Sequence, residues 1–405
     1  MIQVMKFWEK KAKRVYLDWA AATPLFPEVR TAMEPFFLEK WGNPGAIHAE
    51  GRLAKAAIDN AREKVGQALQ VRPELVTFTS GGTEGNNLAI RGLIESLHQA
   101  GRPYSDMEVV TTRIEHPSIA KTVEYLASLG VIVRYVAVDG DGFISLSSLQ
   151  QSLSEKTVLF SVAYANSEIG VVQPMHRIKK ILQQMEAHFT TKIFFHVDAA
   201  QAPLWLSCQF ETIGADFLVL DVAKCCGPKG TGVLIRSRRA TLTPIFFGGG
   251  QEQGVRSGTE NVPGIIGAGE AIVIAQAHWR ARAELAHAVR DEVISLLLKT
   301  INGAVLNGPQ GENRLANNIN ISIPGVDTEY AAVWLDAKGF AVSTKSACAG
   351  AGGGESSVVK EISADPARAH STLRFTIGPD TTFLDMQNLT EALLAHVSKM
   401  RELTQ

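Results

Sequence analysis

Two periodicities alternate along most of this chain. From residue 52, "RLAKAAIDNAREKVGQAL" carries apolar residues at helical spacing, and "LVTFTS" follows as a short β-rich run. "EGNNLAIRGLIESLHQ" returns to the helical pattern. "MEVVTT", "VIVRYVAV", "TVLFSVAYA", "KIFFHVDAA", "DFLVLDV" and "GVLIRS" are apolar runs rather than alternating ones, which predicts strands buried on both faces. Helical stretches such as Ser118 to Leu129 and Met175 to His188 fall between several of them. Buried strands alternating with helices predict an α/β fold, a mostly parallel sheet covered on both sides. In such a sheet the loops at the carboxyl ends of the strands hold the ligand.

The texture changes after "FFGGGQEQGVRSGTENVPG", residues 246 to 264. A long helix is predicted from about Ile265 to Thr300. A strand-rich part with "NNINISIPG" and "LRFTIG" follows, then a final helix. This pattern predicts a large domain over residues 31–264 and a smaller α+β domain over 265–405, with the N-terminal segment 14–30 packing on the smaller one. "SACAGAGGGESS", 346 to 357, has the Gly/Ala/Ser composition of a mobile loop.

Length and charge narrow the partners. The 405 residues suit two domains, or one large domain with an appended part. Forty basic against 41 acidic residues give a net charge of -1, so no global field favours nucleic acid or an anionic membrane. The expected partner is a small molecule or a protein. No apolar run reaches the length of a bilayer span, and the first residues lack the order of a secretion signal, so a cytoplasmic location is expected. Cys208, Cys225, Cys226 and Cys348 make a poor disulfide framework in so long a chain. They are expected to be reduced.

Six stretches carry candidate chemistry, and several have a plain structural alternative. "TFTSGGTEGNN" is a strand, a Gly-Gly turn and a helix start around Gly82 and Thr83, which makes either an anion site or a simple capped turn. "FFHVDAAQ" ends a buried strand on Asp198, a costly place for a carboxylate unless a cation or proton donor meets it; a helix N-cap is the alternative. Gln201 follows three residues later. "VLDVAK" sets Lys224 at a strand end, where a partly dry amine becomes a carbonyl nucleophile, or snorkels to the surface. His116 precedes a proline at a helix start. Cys348 stands in a loop of small residues, where a thiol is an accessible nucleophile. Arg374 lies inside a strand-like run, where its planar fork needs a carboxylate or phosphate. Together these are the parts for pyridoxal phosphate acting on an amino acid.

The order of motifs resembles the cysteine desulfurases of the NifS/IscS type, in the class V aminotransferase group: "LDWAAATPL", "WGNPGAIH", "FTSGGTEGNNLAI", "IEHPS", "ANSEIGVVQP", "HVDAAQ", "GPKGTGVL", "GGGQEQGVRSGTENV", "STKSACAG" and "LRFTIG". The resemblance implies the type I fold of pyridoxal phosphate enzymes, with a mostly parallel seven-stranded sheet in the large domain. It implies that Lys224 carries the cofactor, that Asp198 keeps the ring nitrogen protonated, that Gln201 bonds the ring oxygen and that His116 stacks on the ring and moves protons. Gly82 and Thr83 would bind phosphate, and Thr259 would reach the phosphate of the other subunit of a homodimer. Asn166 and Arg374 would hold the carboxylate of L-cysteine. Cys348 would take the sulfur as a persulfide and pass it to an acceptor protein for iron–sulfur cluster or thio-cofactor synthesis.

One stretch departs from that pattern. The family usually has a serine or threonine three residues before the lysine and a histidine just before it, both on the cofactor phosphate; in this chain these are Asp221 and Ala223. A carboxylate a few ångströms from a phosphate repels it by about 1 kcal/mol in water-like surroundings and by more in a drier site. Two alternatives to a working desulfurase therefore stand: a related lyase or aminotransferase such as a selenocysteine lyase, and a cofactor-weakened dimeric scaffold. Cys225 and Cys226 take positions usually apolar or aromatic and are expected to fill core space rather than bind metal or relay sulfur.

Overall fold

The computed structural model describes residues 14–344 and 354–404, so Cys348 lies outside the described residues. The strands within them are β1 (Val15–Tyr16), β2 (Val76–Thr79), β3 (Glu108–Thr112), β4 (Ile132–Val136), β5 (Thr157–Ala163), β6 (Phe194–Asp198), β7 (Phe217–Asp221), β8 (Gly232–Arg236), β9 (Val305–Leu306), β10 (Asn318–Ser322), β11 (Phe340–Ala341) and β12 (Thr372–Thr376). Seven of them form one sheet in the order β2-β8-β7-β6-β5-β3-β4. β8 alone runs opposite to the other six strands in it. The pairs from β4 to β7 are all parallel, so the carboxyl ends of β3, β5, β6 and β7 share one edge.

The apolar runs are continuous because alternate residues enter opposite cores. On β6 and β7, Phe195, Val197, Leu218 and Leu220 join one buried cluster. Phe194, Phe217 and Val219 join the other. β4 departs from the expectation of full burial. It is the sheet edge, and its Arg134 and Tyr135 are exposed, as suits a strand that must not recruit another. Arg134 pairs there with the buried Glu108.

The helix Gly82–Gln99 lies directly on the sheet. A Cβ on its Gly85 would come 2.7 Å from a Val219 methyl, so only glycine allows the approach that brings the helix N-terminus to the strand ends.

The long helix begins at Val262, slightly ahead of the predicted start, because the Asn261 side chain accepts from Gly264 N and caps it. At 39 residues it spans about 58 Å and joins the large sheet to the C-terminal part. In that part β12, β10 and β9 pair antiparallel. The first described residues return to it: β1 pairs with β11 and Asp18 bridges to Thr376. Among the described residues no helix is long and apolar enough to cross a membrane.

Candidate active site

The ends of β5, β6 and β7 and the starts of the helices Gly82–Gln99 and Pro117–Ser128 surround a cleft. Gly82, Thr83, His116, Asn166, Asp198, Gln201, Asp221 and Lys224 all line it. Residues as far apart in sequence as Gly82 and Lys224 meet there because parallel strands deliver their ends to the same edge.

Asp198 is the last residue of β6 and is buried. Its Oδ1 accepts from Ala200 N at 2.9 Å and its Oδ2 from Asn86 Nδ2 at 2.8 Å. These donors offset the cost of burying a carboxylate, and its remaining lone pairs suit one more N–H. Asn86 Nδ2 also donates to Ser118 Oγ at 2.8 Å, and Ser118 Oγ lies 2.7 Å from His116 Nδ1. Ser118 N donates to the same Nδ1 at 3.1 Å, with His116 as N-cap of its helix. This network assigns Nδ1 as acceptor and places the ring proton on Nε2. Burial lowers the His116 pKa, against the pull of Asp198, so the imidazole is neutral at neutral pH.

Lys224 closes the 3₁₀ turn Val222–Lys224, which Asp221 caps by accepting from Ala223 N at 3.1 Å. A distant residue clamps this turn. Thr23 Oγ1 donates to Ala223 O at 3.0 Å and accepts from Cys226 N at 2.7 Å. Only the tertiary fold brings the two segments together, so no local pattern announces Thr23. The Gly82–Gln99 helix has Gly81 at its N-cap and no side-chain cap, rather than a capping hydroxyl. Glu84, in its first turn, accepts from Ser80 N at 2.8 Å and pairs with Arg256 at 3.0 Å.

The remaining predicted residues are placed differently. Gln201 Nε2 donates to Ala20 O at 2.9 Å. Asn166 spends much of its amide on backbone groups: Oδ1 accepts from Glu168 N and Ile169 N of its own loop at 2.9 and 3.0 Å, and Nδ2 donates to Ile114 O, after β3, at 2.8 Å. Arg374 is buried in β12 and does not line the cleft. Its carboxylate partner is Asp18, at 2.8 Å, and its Nη1 donates to Ser167 O, at 3.0 Å, on the cleft wall. Thr259 is exposed and lies off this chain's cleft.

No sequence pattern marks Glu115. It is buried beside the cleft, its Oε1 accepting from Thr112 Oγ1 at 2.6 Å and its Oε2 from Ala163 N at 2.8 Å. Burial, with Asp198 nearby, pushes its pKa up to about 8. Cys225 and Cys226 are buried core residues behind the lysine turn. Burial pushes Cys226 up to about 11 and Cys225 well above the ordinary thiol range, which leaves both poor nucleophiles.

The aminotransferase class-V family matches residues 15–389 of this chain. The chain belongs to that family. Its members depend on pyridoxal phosphate. The chain is 38% identical to the cysteine desulfurase IscS of Dictyoglomus turgidum over 392 residues, 97% of this chain and 96% of that one. It is 35% identical to the cysteine desulfurase IscS 1 of Archaeoglobus fulgidus over 389 residues, 96% and 98% of the two chains. A solved NifS-like protein superposes with a TM-score of 0.87 at 31% identity, over 95% of this chain and 99% of its own. The fold is that of type I pyridoxal phosphate enzymes.

Proposed function

We propose that this chain is a pyridoxal phosphate-dependent cysteine desulfurase. It converts L-cysteine to L-alanine and leaves the sulfur as a persulfide on Cys348 for an acceptor protein that serves iron–sulfur cluster or thio-cofactor synthesis. The observation that carries this reading is the convergence of Lys224, Asp198 and His116 on one cleft, in a chain similar to cysteine desulfurases over nearly its whole length. That breadth favours it over a related lyase or a scaffold.

The residues at the ring end fit the cofactor. An amine shares the cleft with a buried carboxylate that still has lone pairs to offer, and Asn86 Oδ1 is buried with no partner of its own, Asn86 lining the same cleft. When bound, the cofactor draws electrons from the amino acid and makes the bonds at its α-carbon labile. Lys224 would hold it covalently, and Asp198 would accept the N–H of its ring nitrogen. Gln201 would meet the ring oxygen. Neutral His116 would stack on the ring and carry a proton on Nε2. Gly82 and Thr83 would present first-turn N–H groups to the phosphate.

Arg374 would bind the substrate carboxylate, in exchange for or beside Asp18, with Asn166 shaping the adjoining loop. Cys348 would take the sulfur. In the net reaction the substrate's β-carbon exchanges its sulfur for a proton, so cysteine leaves as alanine. The exposed Thr259 suits a role across a homodimer, where it would reach the partner's cofactor phosphate. The segment 14–30 would pack with 265–405 as the unit that moves against 31–264. A reduced Cys348 is a thiol suited to the cytoplasm.

Two variants test the reading. Lys224→Ala should lose the visible absorption band of bound cofactor and form no alanine. Cys348→Ser should keep the band and its shift on adding cysteine, but release no sulfide. Wild-type sulfide release by the second variant would show that Cys348 is not the sulfur-accepting thiol.

A further inference from the structure

Asp221 stands where the cleft would take an anion. Its Oδ1 is spent on Ala223 N, in the turn that carries Lys224. Its Oδ2 lies 3.4 Å, and its own Cβ 3.2 Å, from where a Cβ on Gly82 would sit. Gly82 opens an 18-residue helix with no side-chain cap, whose first N–H groups have no partners within the helix. That end carries partial positive charge and is the corner of the cleft suited to a phosphate. The other acid of that turn, Glu84, is neutralised by Arg256. Among the described residues Asp221 has no such ion pair. Its carboxylate already supplies the negative charge that the helix end attracts.

We propose that Asp221 is a built-in competitor for the cofactor's phosphate, so that this cleft discriminates only weakly between pyridoxal phosphate and unphosphorylated pyridoxal. Affinity then rests on Lys224 and the ring-end residues. The inference depends on the cofactor reading above and adds a specificity-determining residue to it.

The experiment is equilibrium binding of pyridoxal phosphate and of pyridoxal to the full chain stripped of cofactor, followed by tryptophan fluorescence. Asp221→Asn keeps the size and the acceptor for Ala223 N but removes the charge. It should tighten pyridoxal phosphate by about fivefold or more and leave pyridoxal within about twofold. Asp221→Ser should act in the same direction. Equal changes for both aldehydes, or none, would overturn the proposal. Lys224→Ala separates the two claims: if it binds both aldehydes as the wild type does, the cofactor reading itself fails. Inorganic phosphate then reads the corner without any aldehyde. It should raise the melting temperature of Asp221→Asn more than that of the wild type, and an equal rise in both would also overturn the proposal.

Discussion

Two aspartates end neighbouring strands in the same cleft, and they are treated in opposite ways. Asp198 closes β6, is buried, and receives N–H donors from Asn86 and Ala200. Asp221 closes β7, is partly buried, and lies beside Gly82 at the uncapped start of a helix. In the proposed reading the ring end is thus a carboxylate prepared by its neighbours for one further donor. The end proposed for the phosphate has a carboxylate beside the uncapped start of a helix, which already attracts an anion. Cofactor chemistry needs the first arrangement to be kept and can tolerate weakness in the second.

The comparison can be broken or sharpened in order of expected effect. Lys224→Ala removes the attachment on which both ends depend, so the protein should emerge colourless from desalting and make no detectable alanine. Asp198→Asn should come next. Loss of a charge-assisted hydrogen bond costs about 1.5–3 kcal/mol, so the dissociation constant for pyridoxal phosphate should rise about tenfold to a hundredfold. If Asp198→Asn proved milder than Asp221→Asn, the ring end would not be the stronger one. Asp221→Asn should move affinity the other way and by less.

Glu115 gives a pH-dependent arm on the ring side. Its pKa is raised from an ordinary 4.5 to about 8. The folded state holds this proton where the unfolded chain has released it, so its contribution to stability is full below about 4.5 and is lost as pH rises through about 8. Glu115→Gln mimics the protonated acid. Its melting temperature should gain on the wild type steadily across that window, and a constant difference would mean that Glu115 is ionised in the fold. The smallest effect belongs to the thiols behind the lysine turn. Cys225→Ala with Cys226→Ala should cost about 1–2 kcal/mol of stability in chemical denaturation, while alanine formation stays within about twofold.

Much of this was legible in the sequence, for a physical reason. Strands buried on both faces are written as unbroken apolar runs, and a polar residue closing such a run marks the ligand edge, as Asp198 and Asp221 do, with Lys224 one turn beyond. β4 misled because an edge strand can carry nearly the same apolar content as an inner one. The supporting residues were hidden because their work is long-range. Thr23 reaches Cys226 across 203 positions, and Asn86 reaches Asp198 across 112. Glu115 gave no signal because its burial depends on β5, whose Ala163 N it caps. Asn166 came from the resemblance, but no pattern shows that its amide is engaged with the backbone of its own loop and of Ile114.

The most direct test of the central claim is the visible spectrum of the full chain supplied with pyridoxal phosphate as L-cysteine is titrated in, with alanine measured alongside. The account predicts a lysine-dependent band that shifts with cysteine while alanine accumulates. A band indifferent to cysteine, or no band at saturating cofactor, would contradict it.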